Sequence, residues 1–355
     1  MSDDKLDSSV VRQSTVSDAE TQPEWTRYAT SGLPGLIESA NFVDALFAFV
    51  KIGMAGRFSA DTTVSLDTAV HGFDRRMAEG LVRYLQVRDV LVSAAGGYQL
   101  TPKGAALISE LSHSQLGFYR EAYGPVLENM SKLVSGAARY GVDIQRDGEA
   151  LGRHCSVGFR YFGNAAAFDA LGGLGAKTIL DLGCGGAWFL IDACRRDPTV
   201  KGIGLDISPE AIEFAKASVA EAGLNDRIRL VVGDAFVPQT WPAACADADA
   251  LFSVGTLHEK FREGEAAVVG LLDRYATHAA GGKLKGMVLG EPELDEQPDP
   301  RGADFFLVHI LTEQGLPRAR TQWLELFKRT KFYCPRVVSN PEMGPPFSFY
   351  ELRPR

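Results

Sequence analysis

Cysteine is sparse in this 355-residue chain, and the five present (Cys155, Cys184, Cys194, Cys245, Cys334) share no CxxC or zinc-finger spacing. An odd count without paired spacing excludes a disulfide framework or a thiolate-held structural zinc as the organising feature. Unbroken apolar runs are short, none near the roughly 18 residues of a membrane span. The start MSDDKLDSSVV is acidic where a secretory signal is basic and then apolar. Positive charge is in deficit: 37 Lys and Arg against 45 Asp and Glu leave a formal −8, which argues against unspecific binding of nucleic acid or anionic membrane. The P-loop pattern GxxxxGK followed by Ser or Thr is also missing. These absences predict a soluble, cytoplasmic protein with neither a nucleic-acid nor a membrane partner.

What is present divides in two, in line with a length too great for one hydrophobic core. Residues 1–24 lack hydrophobic periodicity, and their six acids against Lys5 and Arg12 leave −4, half the formal charge of the chain. Such a segment is predicted to be a disordered acidic tail. From Trp25 order is expected. FVDALFAFVKIGMAG has helical spacing, DTTVSLDTAVHG a turn and short helix, and Asp74 can cap a third helix carrying Met77, Leu81, Leu85 and Leu91 on one side. A strand, a Gly96-Gly97 turn and a second strand complete a winged-helix order. The third helix mixes Arg75, Arg76, Arg83 and Arg88 with Asp74, Glu79 and Asp89. That mixture, with the acidic balance, favours dimerisation over DNA binding. Residues 104–165 read as helices of a lid, and the front domain is taken as 25–165.

The pattern changes at Lys177. TILDLG, VKGIGLD, RIRLVVGD, ADALFSVG and GMVLGEPE are apolar runs separated by helical segments, the signature of an α/β doubly wound parallel sheet with its ligand beyond the carboxyl ends of the strands. Ser208, Pro209 and Gly223 fit the cap, first turn and stop of one such helix. The first turn, Gly183-Cys184-Gly185-Gly186, begins like a dinucleotide loop, but Trp188 replaces the third glycine and weakens a reading as an NAD site.

DLGCGGA, with acids ending successive strands, resembles the first-strand motif of the class I S-adenosylmethionine-dependent methyltransferases, and the resemblance covers Lys177 to the C-terminus. It implies a Rossmann-like domain over 166–355 whose last strand inserts antiparallel. It implies that Gly183 and Gly185 let the backbone approach the amino-acid end of S-adenosylmethionine, and that Asp181 orients its ammonium. Asp206, with Ile207 beside it, would accept from the ribose hydroxyls. Asp234, Ala235 and Phe236 would hold the adenine, with Ser253 at the next strand end. The helical and winged-helix-like front resembles the dimerisation domains of small-molecule methyltransferases and implies a homodimer.

The acceptor chemistry is expected after the fourth strand of the sheet, where SVGTLHEKF places His258 and Glu259. His258 as general base toward a hydroxyl gives a metal-free O-methyltransferase. His309, alone on the apolar helix ADFFLVHILTEQGLP, is by periodicity alone a packing residue more often than a ligand. The pair resembles the α-keto acid C-methyltransferases of nonribosomal peptide pathways, which hold a metal through two such histidines. That resemblance implies a divalent or ferric ion, iron or zinc, chelating a small 2-oxo acid, and methylation of its β-carbon through an enolate in secondary-metabolite (antibiotic) biosynthesis. Glu259 is then a candidate base or a partner to the first ligand, and Arg139 or Arg146 a candidate grip on the substrate carboxylate.

Overall fold

The computed structural model describes residues 14–278, 283–294, 302–340, 342 and 346–355. The predicted tail falls largely outside them. Residues 14–21 are exposed and helix begins at Gln22, inside the segment read as tail.

The chain divides into two compact units, Met1–Ile108 and Ser109–Arg355. The first has the expected order. Helices span Gln22–Thr30, Leu33–Lys51, Leu66–Val70 and Arg75–Val87, followed by β1 (Leu91–Ala94) and β2 (Gly97–Leu100). Asp74 caps its helix as predicted, its carboxylate accepting from Met77 N at 2.9 Å. The buried face of that helix runs through Ala78, Val82 and Leu85, one position round from the expected stripe, and Met77 is exposed. The hairpin pairs Leu91 with Leu100 and Ala94 with Gly97, so the turn is Ala95-Gly96 and Gly96 takes φ +89°.

The boundary expected at 165/166 lies instead at 108/109. Helices between 110 and 174 belong to the second unit because their apolar faces serve its core. Ala167, Ala170, Leu171 and Leu174 of the helix Asn164–Leu174 pack with Ile179, Val288 and Phe349 of the sheet. Periodicity announced those helices but carries no information about which core they join.

The sheet contains β3 (Thr178–Leu182), β4 (Lys201–Asp206), β5 (Ile228–Val232), β6 (Ala250–Val254), β7 (Gly286–Pro292), β8 (Phe332–Ser339) and β9 (Phe347–Pro354). Their spatial order is β5-β4-β3-β6-β7-β9-β8, parallel through β7 and antiparallel at β9 and β8, the insertion that the sequence implied. Apolar layers cover both faces. Phe189, Leu190, Ala215 and Val219 lie on one side, and Val268, Leu271, Leu272 and Trp323 on the other. Strand order reverses between β3 and β6, which opens a crevice at their carboxyl ends.

Candidate active site

The cofactor end of the crevice is built on the turn after β3. Gly183 at φ +80° and Gly185 at φ +49° allow the chain to double back, and both Gly183 N and Cys184 N donate to Leu205 O on β4. Asp206, at the end of β4, accepts from Gly185 N and Ser208 N, each at 2.9 Å, so one carboxylate ties the glycine turn to the next helix start. Each carboxylate oxygen keeps acceptor capacity for a further donor. Trp188, which argued against an NAD site, is 40% exposed at the start of its helix, and its indole lies against the turn, where a Cβ on Gly186 would meet Nε1 at 2.6 Å.

Asp181 is 5% exposed, inside β3 rather than beyond it. Burial, then the charge of Asp206, pushes its carboxyl up to about 8. Asp234 lies two residues past β5, its Oδ1 accepting from Phe236 N at 2.8 Å. The loop is fixed on its other side by Trp241 Nε1 donating to Asp234 O and Tyr275 OH donating to Ala235 O. Ile207 is exposed beside Asp206, and Phe236 is partly buried. Ser253 is fully buried on β6 with no hydrogen-bond partner for its hydroxyl.

The acceptor end lies past β6 and β7. Gly255 N donates to Gly290 O, and a 3-10 turn, Leu257–Glu263, carries His258 inward to 4% exposure. Glu291 of β7, fully buried, accepts from Leu257 N through Oε1 and from His258 Nδ1 through Oε2 at 2.6 Å. His309 sits on the helix Ala303–Leu311 at 2% exposure, its Nδ1 donating to Phe305 O at 2.7 Å. A carbonyl only accepts, so neutral His309 presents Nε2 as a lone pair. Burial, then the neighbouring His258, depresses its pKa to about 3, which keeps it neutral. The two Nε2 atoms face each other at 3.2 Å.

Beside them Glu259 Oε1 accepts from Arg146 Nη2 at 3.0 Å and from Gln314 Nε2 at 2.6 Å. Burial works against the Glu259 charge, but Arg146, His258 and Gln314 together hold the carboxyl below its ordinary value. Arg146 Nη1 reaches Tyr123 OH at 3.4 Å. Of the two candidate arginines only Arg146 joins this cluster. Arg139 is exposed, its backbone N–H on Asp143. Sequence reasoning passed over Tyr123, Glu291 and Gln314. Glu291 had a signal, an acid in an otherwise apolar central strand, whereas Tyr123 and Gln314 had none.

A family model described as a methyltransferase domain matches residues 179–274, the span holding the glycine turn, Asp206, Asp234 and His258. The 2-ketoarginine methyltransferase of Streptomyces arginensis is 28% identical over 273 residues, covering 72% of this chain and 74% of that one. The chain is a class I S-adenosylmethionine-dependent methyltransferase. Its fold is shared over nearly the whole length with human N-acetylserotonin methyltransferase in complex with SAM (TM-score 0.67, 17% identity, 96% of this chain and 99% of that one). The mitomycin 7-O-methyltransferase MmcR is similar in fold too (TM-score 0.65, 17% identity, 94% and 100%). S-adenosylmethionine is the cofactor of this methyltransferase. The residues fit it: an open-conformation glycine turn, a strand-end carboxylate with spare acceptor capacity, and a clamped acidic loop beside an aromatic ring.

Proposed function

We propose that this methyltransferase transfers the methyl group to the β-carbon of a 2-oxo acid in secondary metabolism, with a metal ion held by His258 and His309. The observation that carries the reading is the facing pair of Nε2 atoms at 3.2 Å, each ring fixed through Nδ1 by Glu291 or by Phe305 O. Two imidazole nitrogens each about 2.1 Å from one ion lie about 3 Å apart, so the donor pair fits a shared metal. Among the described residues no group of three or more His, Cys, Asp or Glu side chains converges as in a closed metal site. Two neutral imidazoles suit iron or zinc and leave positions for a chelating substrate. A metal there supplies Lewis acidity that lets the β-carbon of a 2-oxo acid lose its proton near neutral pH.

The chain's own residues do the rest. Glu291 fixes the tautomer and plane of His258. Arg146, with two donors engaged on Tyr123 and Glu259, keeps others for the substrate carboxylate. Glu259 aims that guanidinium. Asp206 and the 234–236 loop seat the nucleoside, and Asp181 faces the methionine end, placing the sulfonium for in-line attack. The 28% identical relative that acts on 2-ketoarginine supports this substrate class.

The experiment is metal analysis of the purified protein combined with a screen of 2-oxo acids for methyl incorporation, reading product mass and position. One equivalent of metal, β-methylated product, and loss of both in His309→Ala are expected. Full activity in excess chelator, with hydroxyl acceptors methylated, overturns the reading. It would establish the second one, a metal-free O-methyltransferase with His258 as base, which the 2.6 Å His258–Glu291 contact favours.

A homodimer is proposed through the first unit. The helix Leu33–Lys51 is the one helix among the described residues long and apolar enough to cross a membrane, yet Asn41, Asp44 and Glu38 interrupt it. Its exposed Leu33, Leu36 and Ile37, with Trp25 and Tyr28 on the preceding helix, form a surface fit for a second copy.

A further inference from the structure

We infer that Gln314 and Gly315 are positioning residues that set the separation of the two imidazoles and the aim of Arg146. These consecutive residues touch the main chain of both histidines. Gln314 N donates to His309 O at 3.3 Å. Gly315 lies so close to the turn bearing the other imidazole that a Cβ there would meet His258 O at 2.1 Å, Arg262 N at 2.9 Å and Phe261 N at 3.0 Å. All three are backbone atoms of the turn, so no side-chain rotation relieves the clash. Gly315 has no left-handed φ, and its missing Cβ therefore serves close approach alone.

The approach is prepared by the end of the preceding helix. Thr312 Oγ1 turns back to Val308 O at 2.7 Å, and Glu313 takes φ +49°, a conformation uncommon outside glycine. That reversal swings Gln314 inward. Its Nε2 donates to Glu259 at 2.6 Å, while Oε1 accepts from Tyr123 OH at 3.4 Å. The Glu259 carboxylate only accepts, so the amide must turn its NH2 toward it. The same carboxylate oxygen holds Arg146, so the amide that follows the His309 helix orients the cation above the His258 turn.

The consequence for metal binding rests on the function proposed above, whereas the spacing of the rings does not. The test uses full-length Gly315→Ala and Gln314→Met. Cobalt(II) titration reads affinity and the d–d spectrum, ring 15N shifts of selectively labelled histidine read the imidazoles directly, and calorimetry reads S-adenosylmethionine binding. Gly315→Ala is expected to weaken cobalt binding about tenfold or more, alter its spectrum and shift the ring nitrogens of His258 and His309, with cofactor affinity kept. Gln314→Met, which keeps length but cannot donate, is expected to raise the KM for the 2-oxo acid about tenfold with a smaller change in kcat. Folded variants with wild-type ring shifts and an unchanged acceptor KM overturn the inference. Should Gly315→Ala fail to fold, an unchanged KM and unchanged ring shifts in Gln314→Met overturn it alone. Wild-type protein that binds no cobalt rejects the metal reading only, and the ring shifts still decide the positioning role.

Discussion

Asp181 is a carboxyl group held where carboxylates are costly, with another acid beside it and no partner cation among the described residues. Its folded value near 8 against an ordinary 3.8 means that the folded protein retains a proton that the unfolded chain has lost between those pH values. Stability from this group is therefore complete below about 4 and lost as pH rises to about 8. Binding the positively charged methionine end favours the ionised form, so cofactor binding near pH 7 should release a proton. Affinity should rise with pH up to about 8, by at most about tenfold per unit. Calorimetry in buffers of different ionisation enthalpy checks this, and Asp181→Asn should abolish the proton release. The place of Asp181 on the strand before the glycine turn was legible because its motif is short and contiguous. Trp188, read from the same motif as an argument against an NAD site, agrees with S-adenosylmethionine as the cofactor. Glu291 was overlooked because its meaning depends on a turn 33 residues earlier in the chain. Replacing Glu291 with Gln should leave cofactor affinity unchanged and lower metal affinity or turnover about 10- to 100-fold, read by titration and initial rates.

Secondary-structure elements were read with the least error where side chains cap their own helices. Asp74 and Ser208 each accept from the backbone three residues on, an arrangement written in local sequence. Face assignments were harder, as the one-residue rotation of the Arg75–Val87 helix shows, because a 3.6-residue period does not discriminate between neighbouring stripes when Ala and Val are as buried as Leu and Met. Leu33–Lys51 is a stronger case. It buries only Leu46 and Phe49 of its 19 residues, while Leu36 is 67% exposed. Leu36→Asp with Ile37→Asp should shift a dimer to monomer in analytical ultracentrifugation while leaving cofactor binding intact. An unchanged sedimentation coefficient with dimeric mass would remove this face from the interface.

At the scale of the molecule, alternating strands and helices foretold the doubly wound sheet, because each segment carries its own period and its own stop. The division into units was not foretold: a boundary is set by which surfaces bury one another, and helices 110–174 look alike whichever core they join. The residues proposed to hold the cofactor lie wholly in the second unit, so S-adenosylmethionine at about 100 times its Kd should stabilise that unit by about 2.7 kcal/mol. Hydrogen exchange should show the added protection confined to residues after 108. Uniform protection across both units would mean that they unfold together.

The position of β9 carries a further consequence, for the order of folding. It pairs with β7 on one side and β8 on the other, although about 50 residues separate it from β7 along the chain. During synthesis β3 to β7 can assemble, but β7 then presents an open edge, apolar except for Glu291, until residues 347–354 emerge. The nascent protein thus passes through a stage in which a sheet built for burial has one sticky side, and the segment that protects it is among the last of these residues to be made.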